Sequence, residues 1–275
     1  MKKLITLLEI ELKKALPILL TTLILMTAAS TWAFYSGAQR MNSMLMQDLL
    51  ANEMTVAEYV ESSGGVTLVQ AIESYGQMLP YLLFVLSAML LVAVLSFYLW
   101  YKEWFGQSKR IYMLFSLRGS RFTILISKLI TVIAATWIFY GVVLINLWIG
   151  GVVLRLVLPD GAVADGLVRG VILNGNTALA FIFPLSLIDF MYKIFFVMVA
   201  FSGITVVVLM DRSKKILGFI LGLVYCILVT VVYSRTQSMF LFFDERPLVD
   251  WSFVILASAL SLLISYLLLN KKVSI

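Results

Sequence analysis

Residues 102–128 read KEWFGQSKRIYMLFSLRGSRFTILISK and separate two long apolar runs. The stretch carries Lys102, Lys109, Arg110, Arg118, Arg121 and Lys128 against one acid, Glu103. Short basic loops beside membrane spans stay on the cytoplasmic side, so this stretch sets the topology of the chain around it. Trp104, Ile111, Tyr112 and Phe115 recur at roughly helical spacing, opposed by Glu103, Gln107 and Arg110. The pattern predicts a short amphipathic helix lying against the inner face of a membrane.

Composition agrees. A chain of 275 residues that is 62% hydrophobic, with mean hydropathy +1.01, carries more apolar side chain than a soluble core hides, and reads as an integral membrane protein. Its net charge of +6 sits at the ends of apolar runs and forms no recognition motif, so no nucleic-acid partner is expected. Histidine is absent and Cys226 is the lone cysteine, which excludes His-based metal sites, Ser-His triads and disulfides within the chain. Cys226, inside an apolar run, reads as a small packing residue. The N-terminus, MKKLITLLEIELKK, begins like a signal peptide, but Lys13 and Lys14 return before the first long run and no small-residue cleavage site follows. It is expected to be retained.

A helix needs about 20 apolar residues to cross a bilayer core. Six segments reach or approach that length: 15–36, 78–101, 122–154, 187–210, 216–234 and 251–269. With the N-terminus inside, the cytoplasmic segments hold 15 of the 21 Lys and Arg residues and four of the 15 acids, a bias that places both termini in the cytoplasm. The expected fold is therefore an all-α integral membrane protein, one transmembrane domain over 1–275 with six transmembrane helices. Residues 1–14 put Lys2, Thr6, Glu9 and Lys13 on one helical face and Leu4, Leu8, Leu12 and Ala15 on another. That spacing fits an interfacial helix before the chain turns into the membrane at Pro17, or a charged flank that is simply helical.

The extracellular segment 37–77 is too long for a turn, and two or three short helices are expected in it. Met41, Met44, Leu45 and Asp48 recur at helical spacing, Thr55-Val56-Ala57-Glu58 fits a capping box, and Gly64-Gly65 breaks the pattern before a further helix. Met41, Met44, Met46 and Met54 either present an adaptable surface to a greasy ligand or pack those helices on the membrane surface. The second outer segment, 155–186, reads as turns at Pro159-Asp160-Gly161, Asn174-Gly175-Asn176 and Pro184 with a short helix. Asp189 and Lys193 follow at i and i+4, as a mutually neutralising anchor or as part of a gate. Asn146 stands in the third span as a candidate pathway or interhelical hydrogen-bonding residue, and Gly218 and Gly222 form a GxxxG pattern that marks a possible dimer interface.

No GxxxxGK[ST] phosphate loop is present, so the chain is not expected to hydrolyse ATP or to hold a cofactor or metal of its own. The order of parts resembles the permease subunits of ABC transporters of the ABC-2 type: an interfacial N-terminal helix, a second span ending in an acidic-aromatic segment, a basic cytoplasmic helix, and an S/R-x-x-I-L-x-x-K entry to the third span. Glu103, Gly106, Leu114, Leu117, Arg118, Ser120, Arg121, Ile124, Leu125, Ser127 and Lys128 carry the match.

The resemblance implies that the cytoplasmic segment 102–121 is a coupling helix seated on a separate ABC ATPase subunit. Glu103, Trp104, Phe105, Lys109, Arg110, Ile111, Tyr112, Phe115, Arg118, Gly119 and Arg121 would form the ATPase-coupling surface. It further implies two ATPase copies carrying ATP and Mg, a second permease chain in a homodimer, and location in a bacterial cytoplasmic membrane. The long first outer segment is similar to that of exporters of amphipathic peptides, such as the bacteriocin and phenol-soluble modulin exporters, which would make an amphipathic peptide the substrate and membrane lipid the surroundings. The competing reading is a non-transporting scaffold or an immunity protein that sequesters a toxin.

Overall fold

The computed structural model describes residues 2–74, 79–105, 121–173, 186–214, 216–239 and 246–271. Among these the chain is helical, running in order through α1 (Lys2–Asn52), α2 (Val56–Ser63), α3 (Leu68–Ser74), α4 (Leu79–Phe105), α5 (Phe122–Val157), α6 (Leu167–Leu173), α7 (Leu187–Lys214), α8 (Ile216–Met239) and α9 (Arg246–Lys271). Six of them, α1, α4, α5, α7, α8 and α9, are long and apolar enough to cross a membrane, which agrees with the expected number of spans. Of the cytoplasmic helix expected over 102–121, residues 102–105 belong to the end of α4 and 106–120 lie outside the described residues, as do the turns expected at Asn174-Gly175-Asn176 and Pro184.

The largest departure from the sequence reading is α1. Neither the turn at Pro17 nor a break after residue 36 is present, and one helix of 51 residues replaces the expected interfacial helix, first span and start of the outer segment. Proline removes one backbone hydrogen bond and costs a helix about 3 kcal/mol. Here the buried row Leu7, Glu11, Ala15, Leu19 and Leu23 continues in register across Pro17, so packing holds the helix where local propensity would end it. At 1.5 Å per residue α1 is about 75 Å long, about two and a half times the thickness of a bilayer core of about 30 Å.

The chain forms two compact units. The first comprises Met1–Ile18, Leu90–Thr136 and Leu187–Ile275. In it α7 packs against both α8 and α9. A Cβ on Gly222 would stand 2.7 Å from the Val207 Cα, and one on Gly218 would overlap the Met210 carbonyl. The GxxxG pair expected at a dimer interface is therefore used within the chain, because the close approach of α8 to α7 leaves no room for a side chain at either position. Cys226 packs half-buried with its Sγ 3.7 Å from the Gly203 carbonyl oxygen. Tyr225 and Ser261 share a hydrogen bond of 2.6 Å between α8 and α9, and Tyr192 and Phe195 of α7 meet the Trp251 ring of α9 edge-on.

The second unit comprises Leu19–Met89 and Trp137–Ser186. Phe34 packs on Phe84 with centroids 6.4 Å apart and lies so close to α5 that a Cβ on Gly150 would stand 2.9 Å from its ring. After α1, Thr55 caps α2 in the expected box with Glu58, and Gly64 (φ 75) ends it. Thr67 and Gln70 form a second box at α3, with Thr67 N–H donating to Gln70 Oε1 at 2.9 Å and Gln70 N–H to Thr67 Oγ1 at 3.2 Å. Between the two boxes Val66 pairs with the 159–166 turn: its N–H donates to the Ala162 carbonyl at 2.8 Å and its carbonyl accepts from Ala164 N–H at 3.0 Å. Val66 and Ala162 are wholly buried, so this short pairing fixes the segment after α2 to the segment after α5.

Candidate functional site

The charged residues of the first unit fall into two groups. Glu9 and Lys13 form an exposed pair 2.7 Å apart on the outer face of α1, where solvent screens the interaction. Glu11 points the other way, on the buried row with Leu7 and Ala15, and Lys14 follows three residues later. Glu103 stands in the last turn of α4 and Lys128 in the second turn of α5. These four side chains meet in a closed quartet.

Lys14 Nζ donates to Glu103 Oε1 at 2.8 Å and to Glu11 Oε1 at 3.2 Å. Lys128 Nζ donates to Glu11 Oε1 at 3.2 Å and lies 2.9 Å from Glu103 Oε2. Glu11 and Glu103 are 1% exposed, Lys128 0% and Lys14 11%. Burying a lone charge costs several kcal/mol, and the group is tolerable because two carboxylates meet two ammoniums at contact distance. Lys128 has further support. Its Nζ donates to the Leu99 carbonyl at 2.7 Å and sits 5.1 Å from the Trp100 ring centroid. Trp100 in turn donates its indole N–H to Thr205 Oγ1 at 3.0 Å, which ties the quartet to α7.

The same end of this unit is polar and aromatic beyond the quartet. The Arg212 guanidinium lies 5.6 Å from the Tyr101 ring and 5.4 Å from the Trp104 ring, and the Tyr101 hydroxyl reaches Asp211 Oδ2 at 3.5 Å. Lys102 sits over the Tyr98 ring with its ammonium 4.7 Å from the centroid. Arg121 donates to the Leu269 carbonyl at 2.7 Å, in the last turn of α9, where a cation meets the negative end of the helix dipole.

The residues predicted from sequence are distributed differently from expectation. Glu103, assigned to a docking surface, is buried in the quartet and faces α1 and α5 instead. Trp104 lies beneath Arg212, and Arg121 binds the end of α9. Phe105 closes α4. Lys109, Arg110, Ile111, Tyr112, Phe115, Arg118 and Gly119 lie outside the described residues. Asp189 and Lys193 form the anticipated i,i+4 pair, 3.6 Å apart. Asn146, in the second unit, is buried and donates to Thr27 Oγ1 at 3.3 Å, with no partner for its Oδ1 among the described residues.

Glu11, Lys14 and Lys128 were missed as site residues because Lys14 and Lys128 read as topological charges and Glu11 as part of a polar flank. The signal was nevertheless present: Glu11 continues the apolar row Leu7, Ala15, Leu19, and Lys128 follows Leu125 on a row that ends in Val132. An ionisable residue on an apolar face needs a partner. Chemically the quartet offers neither a nucleophile nor an open coordination position. It clamps α1, α4 and α5 to one another.

Comparison of the chain with family models, curated proteins and solved structures gives no match.

Proposed function

We propose that this chain is the permease subunit of an ATP-driven ABC exporter of the ABC-2 type, with both termini cytoplasmic, acting as a homodimer with two copies of a separate ATPase in a bacterial cytoplasmic membrane. The observation that carries this reading is the anchoring of both flanks of segment 106–120. Glu103, three residues before it, is held by Lys14 and Lys128, and Arg121, directly after it, is held by the Leu269 carbonyl. A surface element passes nucleotide-driven motion to membrane helices only if its ends are fixed to them. On this reading Glu103 positions the coupling segment, while Lys109, Arg110, Ile111, Tyr112, Phe115 and Arg118 dock the ATPase. ATP closure would move the docked segment and, through the clamp, α1, α4 and α5 together.

The test is mild-detergent purification of the tagged native complex with mass spectrometry of what remains bound. Recovery of a soluble subunit with a phosphate-binding loop, lost when Lys109, Arg110 and Arg118 are changed to Glu, is the expected result. Recovery of this chain alone, after crosslinking as well, would overturn the reading in favour of a scaffold or immunity protein.

A further inference from the structure

The quartet joins α1, α4 and α5, and one buried contact carries it further, into α7. Trp100 stands one turn before Glu103 on α4 and is wholly buried. Lys128 meets both residues, its Nζ 2.9 Å from the Glu103 carboxylate and 5.1 Å from the Trp100 ring centroid. The indole N–H donates to Thr205 Oγ1 at 3.0 Å, and the Thr205 hydroxyl donates onward to the Phe201 carbonyl at 2.9 Å. That hydroxyl both accepts and donates, so neither it nor the ring can turn without breaking a buried hydrogen bond.

Helix α7 has little freedom of its own at this level. Thr205, Val206, Val207, Val208 and Leu209 are at most 2% exposed, and five consecutive helical residues cover every face of the helix. Val207 lies about 200° from Thr205 around the axis, on nearly the opposite face. There α8 comes so close that a Cβ on Gly222 would stand 2.7 Å from the Val207 Cα. Trp100 on one side and Gly222 on the other therefore hold the same turn of α7, and a shift of Trp100 displaces α7 and α8 together. The remaining contacts between α4 and α7 are softer. Arg212 lies over the Tyr101 and Trp104 rings and Asp211 is 3.5 Å from the Tyr101 hydroxyl, but Asp211 and Arg212 stay 24% and 25% exposed, where solvent weakens such contacts.

We propose that Trp100 is a positioning residue for export: its hydrogen bond to Thr205 makes α7 and α8 follow the clamp when the coupling segment moves. The inference rests on the exporter reading and adds α7 and α8 to the helices that the ATPase drives.

The test uses the full chain with its native ATPase in nanodiscs, in a Cys226→Ser, Ser238→Cys background that places the one thiol at the end of α8 remote from Gly222. The readout is the rate at which a membrane-impermeant maleimide reacts with that thiol, with and without MgATP and orthovanadate. The rate is expected to change several-fold on nucleotide trapping in this background. Thr205→Val, which keeps the shape of the side chain and loses the hydroxyl, is expected to abolish the response. Thr205→Ser, which loses a methyl and keeps the hydroxyl, is expected to respond like the parent, whereas a role in packing alone would rank the two variants the other way. A response that survives Thr205→Val, or one lost equally in both variants, overturns the proposal. So does a parent that holds the ATPase and shows no response, which leaves the exporter reading standing. A parent that holds no ATPase, seen by mass spectrometry before labelling begins, sinks the exporter reading and this inference with it.

Discussion

Lys128 lies 2.9 Å from the Glu103 carboxylate with both side chains out of reach of water, so the last turn of α4 and the second turn of α5 are joined by charges that solvent does not screen. Removing one member of such a group leaves the others uncompensated. Lys128→Met is expected to destabilise the chain by about 3–5 kcal/mol, read as thermal unfolding in detergent. With Lys128 gone, Lys14 faces two carboxylates, so adding Glu103→Gln to Lys128→Met removes the excess negative charge and is expected to restore part of that loss. Strictly additive losses would show that the two residues do not act as a pair.

The six apolar runs were legible because about 20 consecutive apolar residues have few other uses. The box at Thr55 and Glu58 was legible because a cap is made by residues close in sequence. The box at Thr67 and Gln70 follows the same rule and was missed. What could not be read was set by distant partners. Pro17 signals a turn locally, yet the buried row on both sides carries α1 through it. Gly218 and Gly222 announce a close helix approach but not which helix approaches, and the answer is α7 of the same chain. Glu11 and Lys128 gained their meaning only when residues far apart in sequence met.

That use of the glycines gives a second prediction. Gly222→Leu places side chain where the Val207 backbone already lies 2.7 Å from a Cβ, so α8 must shift away from α7. The expected cost is about 1–3 kcal/mol in thermal unfolding, with the oligomeric state in light scattering unchanged. Loss of a dimer at unchanged unfolding temperature would return these glycines to an interface between chains.

Asn146 and Thr27 should respond unequally. Thr27 Oγ1 already donates to the Leu23 carbonyl at 2.8 Å, so Asn146→Leu takes away a buried amide without stranding Thr27. Stability is expected to stay within about 1 kcal/mol of wild type or to rise. Thr27→Val instead strands the Asn146 amide and is expected to cost about 1–3 kcal/mol. If Asn146→Leu unfolds normally but blocks transport, the residue serves the pathway; a large loss of stability would make it a packing residue.

The α2 cap makes a prediction in pH. Glu58 Oε2 accepts from the Thr55 backbone N–H at 2.7 Å and from its hydroxyl at 2.9 Å, which holds the carboxyl below its ordinary value of 4.5. A carboxyl lowered in the folded state adds stability that is present above its unfolded value and lost as pH falls through the folded one. Hydrogen exchange over α2 should therefore be slower in wild type than in Glu58→Gln at neutral pH, and the two should converge as the pH drops below 4.5. Thr55→Ala removes the reciprocal bond to Glu58 N–H and should match Glu58→Gln at neutral pH if the box acts as one unit. A pH-independent gap between wild type and Glu58→Gln would mean that the side chain acts through its shape and not through its charge.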